Sequence, residues 1–489
     1  MPREQLEVRR APSQTAHRAL QYNAQASVRY RRQENRRSLP RFPMNTERES
    51  GAQLPDGHGS LVALALLALV VGATTGLICA GFRAALEQAD RFRDFLIGWA
   101  HGHAIPGFVL VVVACGLATF LAAWLVFRLA PHAVGSGIPH VEAVLRGQLP
   151  PAPYGLGAVK FAGGILSIGA GLALGREGPS VQIGAGTAIF FSRVFGCNWP
   201  DCRALIAAGA GAGLAAAFNA PIAGSAFVLE ELVQSFEHRI AITTLAASSA
   251  AIGVVRALLG DAPDFQVGTL DYASAEVQPL FFVFGGLAGL LAIAYNRTLL
   301  ATTAAAEWFG RLSVPMRAGL IGGAVGIVAW FAPGLVGGGD AITQRTLLGA
   351  DALAFVALAF LLRFGLGALS YAAATPGGLF APLLVLGAQS GLLFGAACRM
   401  AFPWLNIQPE GFAVVGLAAF FTGVVRAPLT GIVLVTEITG SITMLLPMLG
   451  ACFVAMLVPT LLRDEPIYDS LREHTLRRER LLQEAAKKK

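Results

Sequence analysis

Acidic and basic side chains are scarce through most of this chain. They make up 14% of its 489 residues, against 55% hydrophobic, a balance that excludes an ordinary soluble domain. The charges that do occur crowd at the ends. Residues 1–58 hold 11 Arg against 6 acids, and residues 463–489 hold 8 basic against 6 acidic side chains, so excesses of +5 and +2 account for the whole net charge of +7. The 404 residues between are neutral, with 18 charges of each sign, and the basic balance therefore describes the tails rather than a nucleic-acid-binding surface. Lysine is almost missing from that middle region, where Lys160 is the only one. Six cysteines offer no disulfide framework: Cys79, Cys115, Cys398 and Cys452 lie in apolar runs as small hydrophobes, and Cys197 and Cys202 form a lone close pair with no histidine nearby. No apolar run of signal-peptide type occurs in the Arg-rich residues 1–58, which read as a basic disordered extension.

What the chain has is long apolar stretches. Charge-free runs of spanning length cover residues 59–82, 105–127, 204–229, 277–296, 318–339, 364–398 and 438–462. Shorter runs, 178–192 and 411–425, have 15 residues each and cannot cross about 30 Å untilted, which predicts broken helices meeting inside the membrane. The expected fold is an all-α polytopic protein in a lipid bilayer. Two basic tails place both termini in the cytoplasm after an even number of crossings. His101 and His103 are read as a solvated turn after the first hairpin rather than a metal site.

Two stretches about two hundred residues apart match. Residues 175–184 read GREGPSVQIG and residues 378–387 read GLFAPLLVLG, each with Gly, Pro four residues on and Gly five beyond that. Pro179 and Pro382 suit the first turn of a helix, where an N–H is not needed. A second pair, APIAGSAFVLE at 220–230 and APLTGIVLVTE at 427–437, repeats at an offset of 207 against 203 for the first. The membrane region, 59–470, is thus duplicated, with halves at about 59–240 and 275–465, and residues 471–489 form a cytoplasmic tail. Duplicated halves with interrupted helices are a way of building a transport site near the midplane.

The chemistry gathers at helix N-termini. GSGIP, from Gly135 and Ser136 through Gly137 and Ile138 to Pro139, precedes a short helix expected over 140–149, and its glycines leave backbone amides and the Ser136 hydroxyl free to face a ligand. With the turns Gly175, Arg176, Glu177, Gly178, Pro179 and 378–382, this makes three N-termini of one design, each carrying about half a positive charge. Dipoles and hydroxyls hold a small anion without trapping it as a full cation would, so Arg176 is assigned to support of the fold rather than direct ligation. Glu177 sits where the dipoles point: ionised, it takes an anion's place, and protonated, it leaves it, so proton and anion compete. Glu230 and Glu231 are adjacent on one helix end, about 100° apart, so only one faces a proton path. The repeat equates Glu230 with Glu437 as a structural pair and leaves Glu231 for the relay. Lys160 is either a tuner of that path or an interfacial anchor. A membrane-embedded hydrolase, with Ser136 as nucleophile and His132 or His140 as base, is the reading from a different class.

GSGIP, GREGP, GLFAP and the Tyr of EPIYDSL stand here in the order seen in the CLC family of chloride channels and proton–chloride exchangers, and the chain resembles that family from about residue 59 to 470. The resemblance implies a homodimer with an anion path in each subunit, built of two inverted halves of tilted, broken helices. It implies that Ser136 and Tyr468 hydroxyls and the amides of Leu379 and Phe380 hold chloride, that Glu177 is the external gating glutamate, and that Glu231 is the internal proton-transfer glutamate. A glutamate at Glu231 favours proton-coupled chloride antiport over a passive gated channel, and the serine motif favours chloride over fluoride or nitrate. Leu379 departs from a frequent isoleucine and His140 from a common acid. No cofactor beyond bound chloride is implied. The absence of paired regulatory domains resembles compact prokaryotic members in the bacterial inner membrane.

Overall fold

The computed structural model of the chain describes residues 58–153, 155–308 and 312–487. Apart from His58, the expectation of a disordered extension over 1–58 lies outside them. Seventeen α-helices and no named strand occur among the described residues, and eight of the helices are long and apolar enough to cross a membrane.

The first eight are α1 (His58–His101), α2 (Ala104–Leu129), α3 (Ile138–Leu145), α4 (Gly155–Gly169), α5 (Glu177–Val194), α6 (Trp199–Phe218), α7 (Pro221–Phe227) and α8 (His238–Leu259). The next eight repeat the pattern: α9 (Gln278–Trp308), α10 (Val314–Phe331), α11 (Asp340–Leu347), α12 (Leu353–Tyr371), α13 (Phe380–Ala401), α14 (Pro409–Val425), α15 (Pro428–Thr439) and α16 (Leu445–Leu461). A final helix, α17 (Ile467–Lys487), carries the tail. The predicted half boundary near 240 falls at the first turn of α8, which packs along α1, with Gly72 and Gly76 against the backbone of Ala247 and Ala251.

Several expected single spans are broken. The run 204–229 is divided where Asn219 turns left-handed at φ 52° and Pro221 opens α7. The run 364–398 is split between the end of α12 and α13, and 438–462 is broken at Gly440, φ 63°. Conversely, α8 and the first part of α12 lie outside the charge-free runs of spanning length although both helices qualify as spans, because Arg239, Arg256 and Arg363 interrupt their apolar stretches. The short runs become α5 and α14, of 18 and 17 residues. The expected helix over 140–149 starts earlier and is shorter, 8 residues from Ile138. His101 ends the first long helix rather than following a hairpin, and its ring stacks on Trp330 at 4.0 Å.

Close helix crossings explain the last glycine of each repeated motif. A Cβ on Gly184 of α5 would lie 2.0 Å from the Gly209 carbonyl of α6, and one on Gly209 would lie 2.3 Å from the Gly184 carbonyl. The second half repeats this between Gly387 of α13 and Gly416 of α14, at 2.3 and 2.1 Å. Only glycine permits such approach, and lipid-embedded helices associate through small residues of this kind.

The two halves run in opposite directions where they meet. Beyond α7, a π-helical turn, Val228–Leu232, places Glu230 at the N-terminus of α15, where its carboxylate accepts from the amides of Leu429 (3.0 Å) and Thr430 (2.6 Å) and from the Thr430 hydroxyl (2.7 Å). Glu437, near the end of α15, accepts from the amides of Ile222 (3.1 Å) and Ala223 (2.7 Å) at the start of α7. Each carboxylate satisfies N–H groups that have no partner within their own helix. The end of each segment lies at the start of the other, so they are antiparallel and the repeat is inverted.

Candidate functional site

Three helix N-termini converge because their leading loops are tied together. Gly175 and Gly378 exchange both backbone hydrogen bonds, at 2.8 and 2.7 Å, while Gly135 donates to Thr375 O at 3.0 Å and accepts from Gly377 at 3.1 Å. These bonds fix the starts of α3, α5 and α13 against one another. Gly135 and Gly137 hold φ of +62° and +86°, conformations that a side chain would strain.

Inside this junction lie buried polar atoms with no hydrogen-bond partner in the protein. Ser136 is fully buried and its hydroxyl faces that of Tyr468, equally buried in the first turn of α17; neither hydroxyl makes a hydrogen bond of normal geometry within the protein. A Cβ on Gly178 would stand 2.3 Å from Ser136 Oγ, so glycine lets α5 close on the serine. Glu177 is 1% exposed, its carboxylate lying against its own amide and that of Ala381 on α13, with Oε2 unpartnered. Gly175 makes that pose possible, since a Cβ there would be 2.0 Å from Oε2. Leu379 caps α13 and Phe380 opens it, so their amides have no intrahelical acceptor. The Phe380 ring is held among Phe218, Phe227, Phe421 and Tyr468, at 4.8 to 6.3 Å between centroids.

Arg176 does not pair with Glu177. It reaches Asp340 at 3.0 Å and Asp264 at 3.4 Å, with Nε donating to Ala217 O at 3.2 Å, and so ties α5 to α11 and to the loop after α8. Lys160 corrects the anchor reading: it is wholly buried, and its ammonium donates to the carbonyls of Ala133 (3.1 Å) and Gly135 (2.6 Å), supporting the Ser136 turn from behind. Pro139, at the second position of α3, and Pro179, in the first turn of α5, need no amide there, while Ile138 is buried in the core.

Glu230 and Glu231 part as neighbours on one turn must. Glu230 caps α15, and Glu231 points inward, 6% exposed, facing Glu142, Asp469 and Arg146. Glu142 is fully buried, paired with Arg146 at 2.6 Å and with Arg472 of α17. The geometry lends the hydrolase reading no support. Ser136 Oγ reaches neither histidine, and the His140 ring instead lies tilted against His132, at 4.9 Å, and meets Gln182 at 3.4 Å.

A family profile described as "Voltage gated chloride channel" matches residues 118–460. The chain belongs to the CLC family. It is 34% identical over 430 residues to a protein of Vibrio parahaemolyticus named H(+)/Cl(-) exchange transporter ClcA, covering 86% of this chain and 91% of that one. A Salmonella arizonae protein of the same name is 35% identical over 422 residues, covering 85% and 89%. Among solved structures, that of a slow cyanobacterial Cl-/H+ antiporter superposes with a TM-score of 0.80 at 31% identity, covering 84% of this chain and 98% of that one.

Two features of this CLC chain escaped the sequence reading. Arg363 on α12 is the counterpart of Lys160, 203 residues on, and is as deeply buried; it donates to the carbonyls of Leu335 (3.3 Å), Gly337 (2.7 Å) and Gly338 (2.9 Å), the turn before α11. Residues 332–339, APGLVGGG, match 130–137, APHAVGSG, at an offset of 202, and that third repeat pair was the available signal. Tyr371 was missed as well. Its hydroxyl lies against Gly135, 2.8 Å from where a Cβ would stand, beside the Ser136 backbone.

Proposed function

We propose that this chain is a secondary active antiporter that exchanges chloride for protons across a membrane. The observation that carries this reading is the Glu177 carboxylate lodged among amides at the starts of α5 and α13, beside the unpartnered hydroxyls of Ser136 and Tyr468. In the proposal, chloride is held by those hydroxyls and by the amides of Leu379 and Phe380. When Glu177 takes a proton it leaves the amides to the anion, and when it loses the proton it returns, so one site serves both ions in turn. Glu231, across the protein on the π-helical turn, passes protons to and from the other side. The relatives named as H(+)/Cl(-) exchange transporters support exchange over the passive channel. A pair of identical subunits in a bacterial inner membrane, with both termini cytoplasmic, completes the reading.

The test uses sealed proteoliposomes. A proton gradient alone, with chloride equal on both sides, is expected to drive chloride uphill; flux that only ever runs down the chloride gradient would leave a channel. Glu231→Gln is expected to stop proton movement while chloride continues, and Glu177→Ala to give chloride flux insensitive to pH. Persistent proton pumping in Glu231→Gln would remove that residue from the relay.

A further inference from the structure

A cavity of about 590 Å³ opens among α1, α4, α5 and α6, lined by Ile78, Phe161, Ile183, Phe191 and Ile206. That is the scale of a pocket for one small molecule, within the roughly 300–1,000 Å³ such sites occupy. Its rim is apolar and exposed: Phe190 is exposed, and Val70 and Leu77 are exposed on either side of Thr74 on α1, a helix long and apolar enough to cross a membrane. The hydroxyls of the lining residues Thr74 and Thr187 donate to carbonyls of their own helices, which leaves the inner end as the polar one. Gln182, 1% exposed, donates from Nε2 to His132 O at 2.9 Å, while its Oε1 has no partner, and the His140 ring lies beside it. A buried acceptor left without a donor calls for explanation. The wall also has room to spare, because a Cβ on Gly157 of α4 or Gly186 of α5 would meet no heavy atom within 4 Å.

We propose that this cavity binds a single-chain amphiphile drawn from the bilayer, its tail along the apolar wall and its hydroxyl or protonated carboxyl head donating to Gln182 Oε1. The volume suits one chain rather than a two-chain phospholipid. His140 is the only titratable side chain among the described lining residues, so the site has no fixed cation for an ionised head. The head would sit directly behind the Ser136 turn, since a Cβ on Gly137 would be 2.3 Å from Gln182 Oε1. This site is separate from the one proposed for chloride.

Photolabelling of the full chain in proteoliposomes with a diazirine-bearing hexadecanol reads binding without transport, so its failure and that of the exchange reading are distinct. Adducts are expected on α1, α4 and α5. Gly157→Phe and Gly186→Phe fill the cavity from two helices, and each is expected to cut labelling about tenfold, whereas Gly81→Phe, at an open glycine on the lipid face of α1, retains it. Gln182→Leu keeps the space and removes the acceptor, so it is expected to weaken labelling by the alcohol about tenfold and leave that by the matching diazirine alkane unchanged. The corresponding fatty acid is expected to label better at acidic than at alkaline pH. Full labelling in both filled variants that elute as folded protein overturns the site. Undiminished alcohol labelling in Gln182→Leu, or fatty-acid labelling that is equal at both pH values, overturns the donor head.

Discussion

Lys160 and Arg363 show what a buried cation does when it faces carbonyls instead of a carboxylate. Each ties down a glycine turn ahead of an eight-residue helix, one behind Ser136 and the other behind Gly338. Replacing Lys160 by Met should cost about 2–4 kcal/mol, because the buried carbonyls of Ala133 and Gly135 lose their donor. Arg363→Met should cost at least as much, and Arg363→Lys should recover most of the loss, since an ammonium already holds the equivalent turn. Thermal unfolding midpoints in detergent check all three. At this scale the motifs made Ser136, Glu177 and Tyr468 legible, and the structure brings them to one junction. Arg363 was legible only through the third repeat pair, because one charge in an apolar stretch ends a charge-free run whether it faces solvent or lies in the core.

The helices were legible in number of apolar stretches but not in their breaks. Hydrophobicity does not distinguish a continuous span from two segments joined at Asn219 or Gly440, because the turn residues are themselves uncharged. The reciprocal caps by Glu230 and Glu437 were half visible: their equivalence followed from the repeat, whereas their target, the first amides of the opposite helix, depends on direction, which side-chain identity does not encode. Glu230→Ala and Glu437→Ala should each cost about 1–2 kcal/mol through loss of a helix cap. The measurement is again the unfolding midpoint, and similar losses in the two variants are the outcome that symmetry requires; a loss confined to one would mean that only that contact matters.

Across the whole molecule, the tail helix reaches the proposed site. α17 begins with buried Ile467 and Tyr468 and then sends Arg472 to Glu142 on α3, with Asp469 at 2.7 Å from the same guanidinium. The expectation of a cytoplasmic tail gave no reason for this docking, which needs a partner more than three hundred residues away. Arg472→Ala leaves buried Glu142 with Arg146 alone and should cost about 2–3 kcal/mol. Protease cleavage between 471 and 487 should become faster and chloride affinity weaker, because Tyr468 is held one turn away; unchanged affinity with a loosened tail would mean that Ile467 and Tyr468 dock independently. The duplication was legible from two motif pairs, since repeated spacing survives in sequence.

The paired hydrogen bonds between Gly175 and Gly378 limit how this protein can work. Separating the two loops would strand four backbone groups in a dry interior, each at a penalty of about 1–3 kcal/mol. A large rocking of one half against the other would have to tear this seam on every cycle. Traffic through the junction is cheaper to control by swinging a single carboxylate in and out of an otherwise rigid frame, a lever of a few ångströms in a body of fixed shape.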